Sequence, residues 1–186
     1  MLDGVALVNY LYHRIPANLT GLELYPLNTL KQILPAIYAV HAAKYIGREI
    51  LTQQIILPLG CLWNDVLHFS PVHPNLIYQG LVAAGFKSDS TQWFRADPIA
   101  LNFNARNTVI YLNSPKDYLD FSKPVDIFRP FNYASLAELS ELPEATLTYY
   151  QMSQKAGKSP LLFHQIPHVL YRGSLHLNDL TVISTA

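Results

Sequence analysis

The sequence predicts an α+β fold in one domain over residues 1–186, with small mixed or antiparallel sheets and flanking helices. Two patterns carry this prediction: some segments place apolar side chains at helical spacing, and others are short and strand-like. The chain is 50% hydrophobic and 14% charged, which provides enough apolar material for one large core. No internal repeat or low-complexity linker divides it, so a single domain is expected.

Three segments carry helical signals. Apolar residues recur at helical spacing over 27–44, and Pro35 should kink or divide this helix. Residues 73–85 give the clearest helix, because a proline suits the first helical position and a glycine suits the end. An acidic, solvated stretch leads into a third helix, which is expected to end near Lys155.

The strand signals are short apolar runs bounded by proline, glycine or asparagine. The N-terminal segment that ends in His13 predicts a buried strand or a short helix. Residues 62–70 are expected to form one strand, with Trp63 and Phe69 on the same face. Residues 113–130 are expected to be a loop with one helical turn. The other predicted strands are a hairpin of 99–103 with 108–112, and strands at 55–57, 160–164, 169–172 and 181–183.

Charge and cysteine content narrow the range of function classes, and any nucleic-acid or membrane-surface role must rest on a local basic patch. Lys+Arg and Asp+Glu number 13 each, so the formal net charge is zero, whereas nucleic-acid and membrane-surface binders usually carry a basic excess. Charge near zero also favours a protein partner or a homo-oligomer. The single cysteine, Cys61, excludes an intramolecular disulfide and fits a cytoplasmic location. The N-terminal segment lacks a basic leader, and no apolar run reaches the roughly 18 residues that cross a bilayer, so no membrane association is expected.

Groups that can do chemistry are concentrated between Lys44 and His73, in an otherwise apolar chain. A second polar group, Tyr12-His13-Arg14, follows the N-terminal apolar segment. We expect these two groups to meet in one pocket. Arg48 could hold a phosphate or carboxylate there through its guanidinium, whereas a surface pair with Glu49 is the simpler interpretation.

Three common catalytic or metal motifs are incomplete in this chain. His164 and His168 are four residues apart, but Pro167 lies between them, so they would not share a helix face and no metal site is predicted. Residues 156–159 lack the earlier glycine of a phosphate-binding loop. Ser70 lacks the Gly-x-Ser-x-Gly setting of a nucleophilic serine, and a strand-end hydroxyl is the commoner role.

Four short motifs, taken in chain order, give a family resemblance. They are Leu11-Tyr12-His13, then Arg48, then LHFSPVHPNL over Leu67–Leu76, and finally PHVLYRGSL over Pro167–Leu175. This layout resembles the ADP-ribosyltransferase superfold, in particular the DarT-type branch that modifies DNA. The resemblance covers most of the chain and implies an ADP-ribosyltransferase-like fold of the kind found in bacterial toxins.

The resemblance implies a cleft that binds NAD as a substrate, without a metal. His13 would hold the nicotinamide ribose, Arg48 would contact a phosphate, and Ser70 would lie on the strand that floors the nicotinamide pocket. The nicotinamide–ribose bond would break through an oxocarbenium-like state, and ADP-ribose would pass to a nucleic-acid or protein acceptor. The residues expected to bind NAD are Tyr12, His13, Tyr45, Arg48, His68 and Ser70, and the residues expected to act in catalysis are His13, Arg48, Glu49 and His168.

One position departs from the family pattern. His168 stands where the family carries its catalytic glutamate, and a histidine cannot supply the negative charge that stabilises a ribosyl cation. Three alternatives follow from this departure. The alignment is offset, or another acid such as Glu49 or Asp65 substitutes, or the domain does not transfer ADP-ribose.

Two other function classes also fit the sequence. A non-catalytic interaction protein, such as an immunity or adaptor domain, would use an aromatic surface drawn from the 12 tyrosines and 2 tryptophans. Nucleic-acid binding without chemistry would require Arg95, Arg106 and Arg172 to share one face. Convergence of His13, Arg48 and Asp65 in a concave pocket would favour the transferase interpretation, whereas their scattering over the surface would favour the interaction protein.

Overall fold

Short strands and α-helices alternate along residues 9–113 and 127–186, which are the residues described by this computed structural model. The helices are α1 (Leu27–Ile33), α2 (Pro35–Ala42), α3 (Pro74–Ala83) and α4 (Glu144–Lys155). The strands are β1 (Leu11–Arg14), β2 (Glu23–Leu24), β3 (Ile55–Ile56), β4 (Cys61–Leu62), β5 (Leu67–Phe69), β6 (Gln92–Ala96), β7 (Thr108–Tyr111), β8 (Phe128–Pro130), β9 (His168–Tyr171), β10 (Leu175–His176) and β11 (Thr181–Ser184). The antiparallel sheets and flanking helices confirm the predicted α+β class.

Two antiparallel sheets meet at the edge strands β1 and β5. The first sheet has the order β1-β6-β11 and the second has the order β5-β9-β7-β8. A bridge joins them at Tyr12 and Ser70, whose backbone N–H groups each donate to the other's carbonyl at 2.8 Å. The bridge brings together two segments that are far apart in the sequence, and it sets the end of β1 beside β5. Two further ribbons pair β2 with β10 and β3 with β4.

Side-chain alternation divides the core between the two faces of the four-stranded sheet. On β7, Ile110 packs into one buried cluster, whereas Val109 and Tyr111 pack into another. On β9, Val169 and Leu170 repeat this division. Because both faces are covered, these strands consist mostly of apolar residues.

The predicted helices are confirmed, and proline sets their boundaries. Pro35 divides the 27–44 segment, because the residue before a proline is disfavoured in the helical region. Leu34 accordingly adopts φ −140° and ψ 67°, and it separates α1 from α2. The third predicted helix also forms, as α4, and ends at Lys155.

The strand predicted over 62–70 is wrong in its first part. A 3₁₀ turn over Trp63–Asp65 interrupts it, because the Asp65 carboxylate accepts a hydrogen bond from the Leu62 backbone N–H at 2.8 Å and closes the turn. The turn moves the Trp63 side chain off the face it was predicted to share with Phe69. The Trp63 ring instead lies against the His68 ring, with centroids 4.7 Å apart.

Two further strand predictions are wrong. Residues 99–103 form turns rather than one arm of a hairpin, and the left-handed φ of 55° at Asn102 is incompatible with a strand. Strand β7 therefore pairs with β8 and β9 instead. Residues 160–164 also enter turns, which end at Gln165 with φ 59°. The loop predicted over 113–130 lies mostly outside the described residues, and its described end contains β8.

The remaining global expectations concern the thiol and the membrane. Cys61 is buried, and this burial raises the pKa of its thiol. Over residues 9–113 and 127–186, no helix has the length and apolar character needed to cross a membrane.

Candidate functional site

A cavity of about 110 Å³ lies between the α1–α2 pair and the ends of β1 and β5. Most of its wall is apolar and comes from leucine, isoleucine and valine side chains of β2, α1, α2 and the segment around β5. An apolar wall that also carries polar groups is typical of a small-molecule site. The polar residues in the wall are His13, Thr20, Glu23, Tyr25, His41, Lys44, Tyr45, Asn64 and His68.

His13 is held in one orientation and one tautomer at the cavity wall. Its Nδ1 lies 2.8 Å from the backbone carbonyl oxygen of His68, and since a carbonyl only accepts, Nδ1 must carry the proton. The Nε2 atom is then left as a hydrogen-bond acceptor. Burial lowers the pKa of His13 to about 4, so the imidazole is neutral at pH 7.

His68 and His168 lie on the same face of the four-stranded sheet, and their ring centroids are 6.2 Å apart. His68 Nε2 donates to the Trp63 carbonyl at 3.1 Å, and His168 Nδ1 donates to the Ile166 carbonyl at 2.8 Å. Burial lowers the pKa of His168 to about 4, and burial together with the nearby His168 lowers the pKa of His68 as well. We call His13, His68 and His168 the histidine row: three neutral imidazoles, each with one ring nitrogen left as an acceptor by its carbonyl bond.

The Lys44–Glu49 segment places one predicted site residue, Tyr45, in the cavity wall together with Lys44, and it leaves the predicted Arg48 and Glu49 beside the wall. Lys44 and Tyr45 line the cavity, with the Lys44 Nζ 5.1 Å from the centroid of the Tyr45 ring. Burial of this ammonium and the neighbouring Arg48 lower the pKa of Lys44. Arg48 is exposed and donates through Nη2 to the Lys44 carbonyl at 2.6 Å. Glu49 is exposed and accepts from the Gly47 N–H at 2.8 Å, which lowers the pKa of its carboxyl.

Tyr12 and Ser70 lie outside the cavity wall. Alternation along β1 turns the Tyr12 side chain away from His13 and against the His73 ring, with centroids 4.9 Å apart. The Ser70 hydroxyl is buried and closes a local turn, since it accepts from the Val72 N–H and donates to the Val72 carbonyl. Both residues hold together the junction between the sheets, which in turn positions His13.

The cavity contains a carboxylate that the sequence analysis did not select. Glu23 of β2 lines it, and it is the one acidic residue of the wall within the described ranges. Pairing of β2 with β10, with Glu23 opposite His176, fixes its position. Asp65, which was considered as the acid, already accepts from Asn28 Nδ2 at 2.7 Å and from the Leu62 N–H at 2.8 Å. Glu23 belongs to no motif, so only the fold could identify it.

Asn64 is the second wall residue that the motifs did not select. Its side chain is buried, with 3% of the residue exposed, and its Oδ1 has no hydrogen-bond partner. Buried polar atoms are nearly always paired, so an unpaired oxygen in a cavity wall calls for an explanation. A bound ligand that donates a hydrogen bond would provide one.

The three arginines considered for nucleic-acid binding have separate local roles. The Arg95 guanidinium lies over the Tyr10 ring at 4.4 Å, and Arg172 Nη1 donates to the Leu59 carbonyl at 2.8 Å. Arg106 is exposed in the turn that precedes β7. In the described part of the chain, no group of three or more His, Cys, Asp or Glu side chains is arranged to hold a metal ion.

Comparison with protein-family models, with curated proteins and with solved structures found no match to this chain. The functional argument therefore rests on the geometry of the cavity. Its wall combines an apolar enclosure with neutral hydrogen-bond acceptors, one carboxylate and one lysine. These groups can bind a small planar ring and, next to it, an anionic group.

Proposed function

We propose that the chain is an ADP-ribosyltransferase-like domain that binds NAD in this cavity. The observation that supports the proposal most is the β1–β5 bridge, which brings His13 and His68 into one cavity wall. Arg48 lies next to Lys44 and Tyr45 of the same wall. Three of the four motifs on which the family resemblance rests thus converge, and His168 of the fourth lies beside His68.

The size of the cavity suggests which part of NAD it accepts. A cavity of about 150 Å³ can hold benzene, whereas sites that enclose a whole ligand measure about 300–1,000 Å³. At about 110 Å³, this cavity is smaller than the one that holds benzene, so it can take only one end of a ligand, which we take to be the carboxamide end of nicotinamide. The nicotinamide ring of NAD is cationic, and the low pKa values of the histidine row keep positive charge away from it.

We assign the ribose and the phosphates of NAD to polar residues in and beside the cavity wall. We assign the acceptor nitrogen of His13, Nε2, to a ribose hydroxyl, because its tautomer leaves that atom free to accept. Lys44 and Arg48 would hold the phosphates, since both are cationic and lie side by side. The family resemblance implied the same roles for His13 and Arg48, and Lys44 is an addition from the structure.

For the transfer step we propose Glu23 as the carboxylate. The bond between ribose C1′ and the nicotinamide nitrogen breaks, and its electron pair leaves with nicotinamide. The Glu23 carboxylate would stabilise the resulting cation and take the proton of the hydroxyl or amine that attacks C1′. The neutral His168 would carry no charge in this step. A nucleic acid or a protein would be the acceptor, and a cytoplasmic location would fit the single buried thiol.

Titration with NAD tests the proposal. Wild type should bind NAD, and Arg48→Ala should weaken binding by about tenfold or more, because a charge-assisted hydrogen bond to phosphate is worth about 1.5–3 kcal/mol. Arg106→Ala, which removes another exposed arginine away from the cavity, should leave the affinity unchanged. The folding stability of both variants should stay near wild type. No binding by the wild type at millimolar NAD would end the proposal.

A non-catalytic interaction domain is a second candidate, and an exposed aliphatic surface favours it. Ile46 is 78% exposed and Ile50 is 67% exposed, and α2 nearby buries none of its residues. Both tryptophans are buried, so this surface is aliphatic and not the aromatic surface that the sequence suggested. Light scattering over a range of concentrations tests self-association. A dimer that Ile46→Ser with Ile50→Ser dissociates would support this candidate, whereas a monomer at all concentrations would count against a homo-oligomer.

A further inference from the structure

The Asn64 carboxamide is placed as a recognition group rather than as part of the scaffold. Asn64 lines the cavity and its Oδ1 is buried without a partner, whereas Asn113, also buried, donates through Nδ2 to the carbonyls of Phe163 and Ile166. The two asparagines thus differ in role although both are buried. Asn113 holds two segments together, and the Asn64 oxygen contributes no hydrogen bond to the fold.

The turn that carries Asn64 is fixed from both sides. Asp65 accepts hydrogen bonds from the Leu62 N–H before the turn and from Asn28 Nδ2 on α1. Trp63, on the other side of Asn64, is buried against the rings of His68 and Tyr111. A carboxamide held by such neighbours loses little conformational freedom on binding, which is the condition for selective recognition.

We infer that Asn64 pairs with a carboxamide carried on a planar ring, with its Oδ1 accepting from the amide N–H₂ of the ligand. This inference rests on the proposed function and assigns its nicotinamide end to this spot. Three features support it: the unpaired acceptor, the small cavity of about 110 Å³, and the neutral imidazoles, which do not require a charged ligand. An asparagine amide can also pair with adenine, so adenosine is the competing ligand in the test.

The test measures binding of three probes by NMR titration: nicotinamide, 3-acetylpyridine and adenosine. Acetylpyridine keeps the ring and the carbonyl but lacks the N–H₂ donor. Wild type should bind nicotinamide about tenfold more tightly than 3-acetylpyridine, the difference expected for one hydrogen bond. Asn64→Leu should bind the two equally, and Asn64→Ala should do so even if leucine does not fit. Equal affinities in wild type, or preferential binding of adenosine, would overturn the inference.

Urea unfolding of the same variants separates recognition from a structural role. Asn64→Leu should keep or raise the midpoint of unfolding, since it removes an unpaired buried oxygen, whereas Asn113→Leu should lower it. A midpoint lowered as much by Asn64→Leu as by Asn113→Leu would make Asn64 structural. NAD titration keeps the two proposals distinguishable: if NAD binds but nicotinamide does not compete with it, only the Asn64 inference fails. If nicotinamide binds with the predicted selectivity and NAD does not, only the proposed function fails.

Discussion

At the scale of single residues, charge decides what the cavity can do. The histidine row is neutral at pH 7, because burial lowers the pKa of each of its members. None of the three can therefore replace the negative charge of a catalytic glutamate. Glu23 can, because it lines the same cavity wall as His13 and His68.

We predict that Glu23→Gln separates binding from chemistry. The change keeps the shape of the side chain and removes its charge, so NAD should bind within about threefold of wild type. Release of nicotinamide should fall by about 100-fold or more, the usual effect of losing a catalytic base or charge. Glu49→Gln is the matched control, because Glu49 is exposed and lies outside the wall. If Glu49→Gln abolishes release and Glu23→Gln does not, the assignment of the carboxylate is reversed.

Residue-level prediction from the sequence was limited by the absence of local signals. His13 and His68 stand in short motifs, so the sequence could select them. Glu23 and Asn64 stand in no motif, and they enter the site because β2 pairs with β10 and a 3₁₀ turn follows β4. Local composition does not predict which distant strands pair. Glu23 and Asn64 could therefore be identified as site residues only from the three-dimensional structure.

At the scale of elements, rules for proline and glycine predicted more than strand patterns did. The break at Pro35 and the helix from Pro74 follow from the backbone constraints of proline, which act locally. The interruption of the 62–70 segment follows instead from a carboxylate that caps a turn and is tied to α1. These two hydrogen bonds of Asp65 decide the local structure despite the apparent alternation of apolar and polar residues. The alternation pattern cannot show them, because it contains no information about contacts with distant residues.

We predict that the two hydrogen bonds accepted by the Asp65 carboxylate stabilise the wall of the cavity. Asp65→Ala removes the acceptor for the Leu62 N–H and for Asn28 Nδ2, so the free energy of unfolding should fall by about 1–3 kcal/mol. Asn28→Ala removes only the second of these bonds and should cost about 1 kcal/mol or less. Urea unfolding measures both variants. Equal losses would show that the backbone bond to Leu62 contributes nothing to stability.

At the scale of the whole molecule, two sheets joined at one edge create a single, partly buried polar zone. The Tyr12–Ser70 bridge sets the histidine row at the junction of the sheets, against the side chains of the core. This placement makes the row sensitive to any change in its charge. The same burial that keeps the row neutral therefore links the stability of the fold to pH.

We predict that the protein loses stability as the pH falls from 6.5 towards 4. A free histidine has a pKa near 6.5, whereas burial lowers the pKa of His13 and His168 to about 4. Between these values the unfolded chain binds protons that the folded chain does not, so acid favours unfolding. Each histidine should contribute a slope of up to about 1.4 kcal/mol per pH unit in this window and nothing above it. Urea unfolding from pH 7.5 to 4.5 measures the slope, and His13→Gln should make it shallower. A free energy of unfolding that stays constant over this range would show that the row is not buried as described.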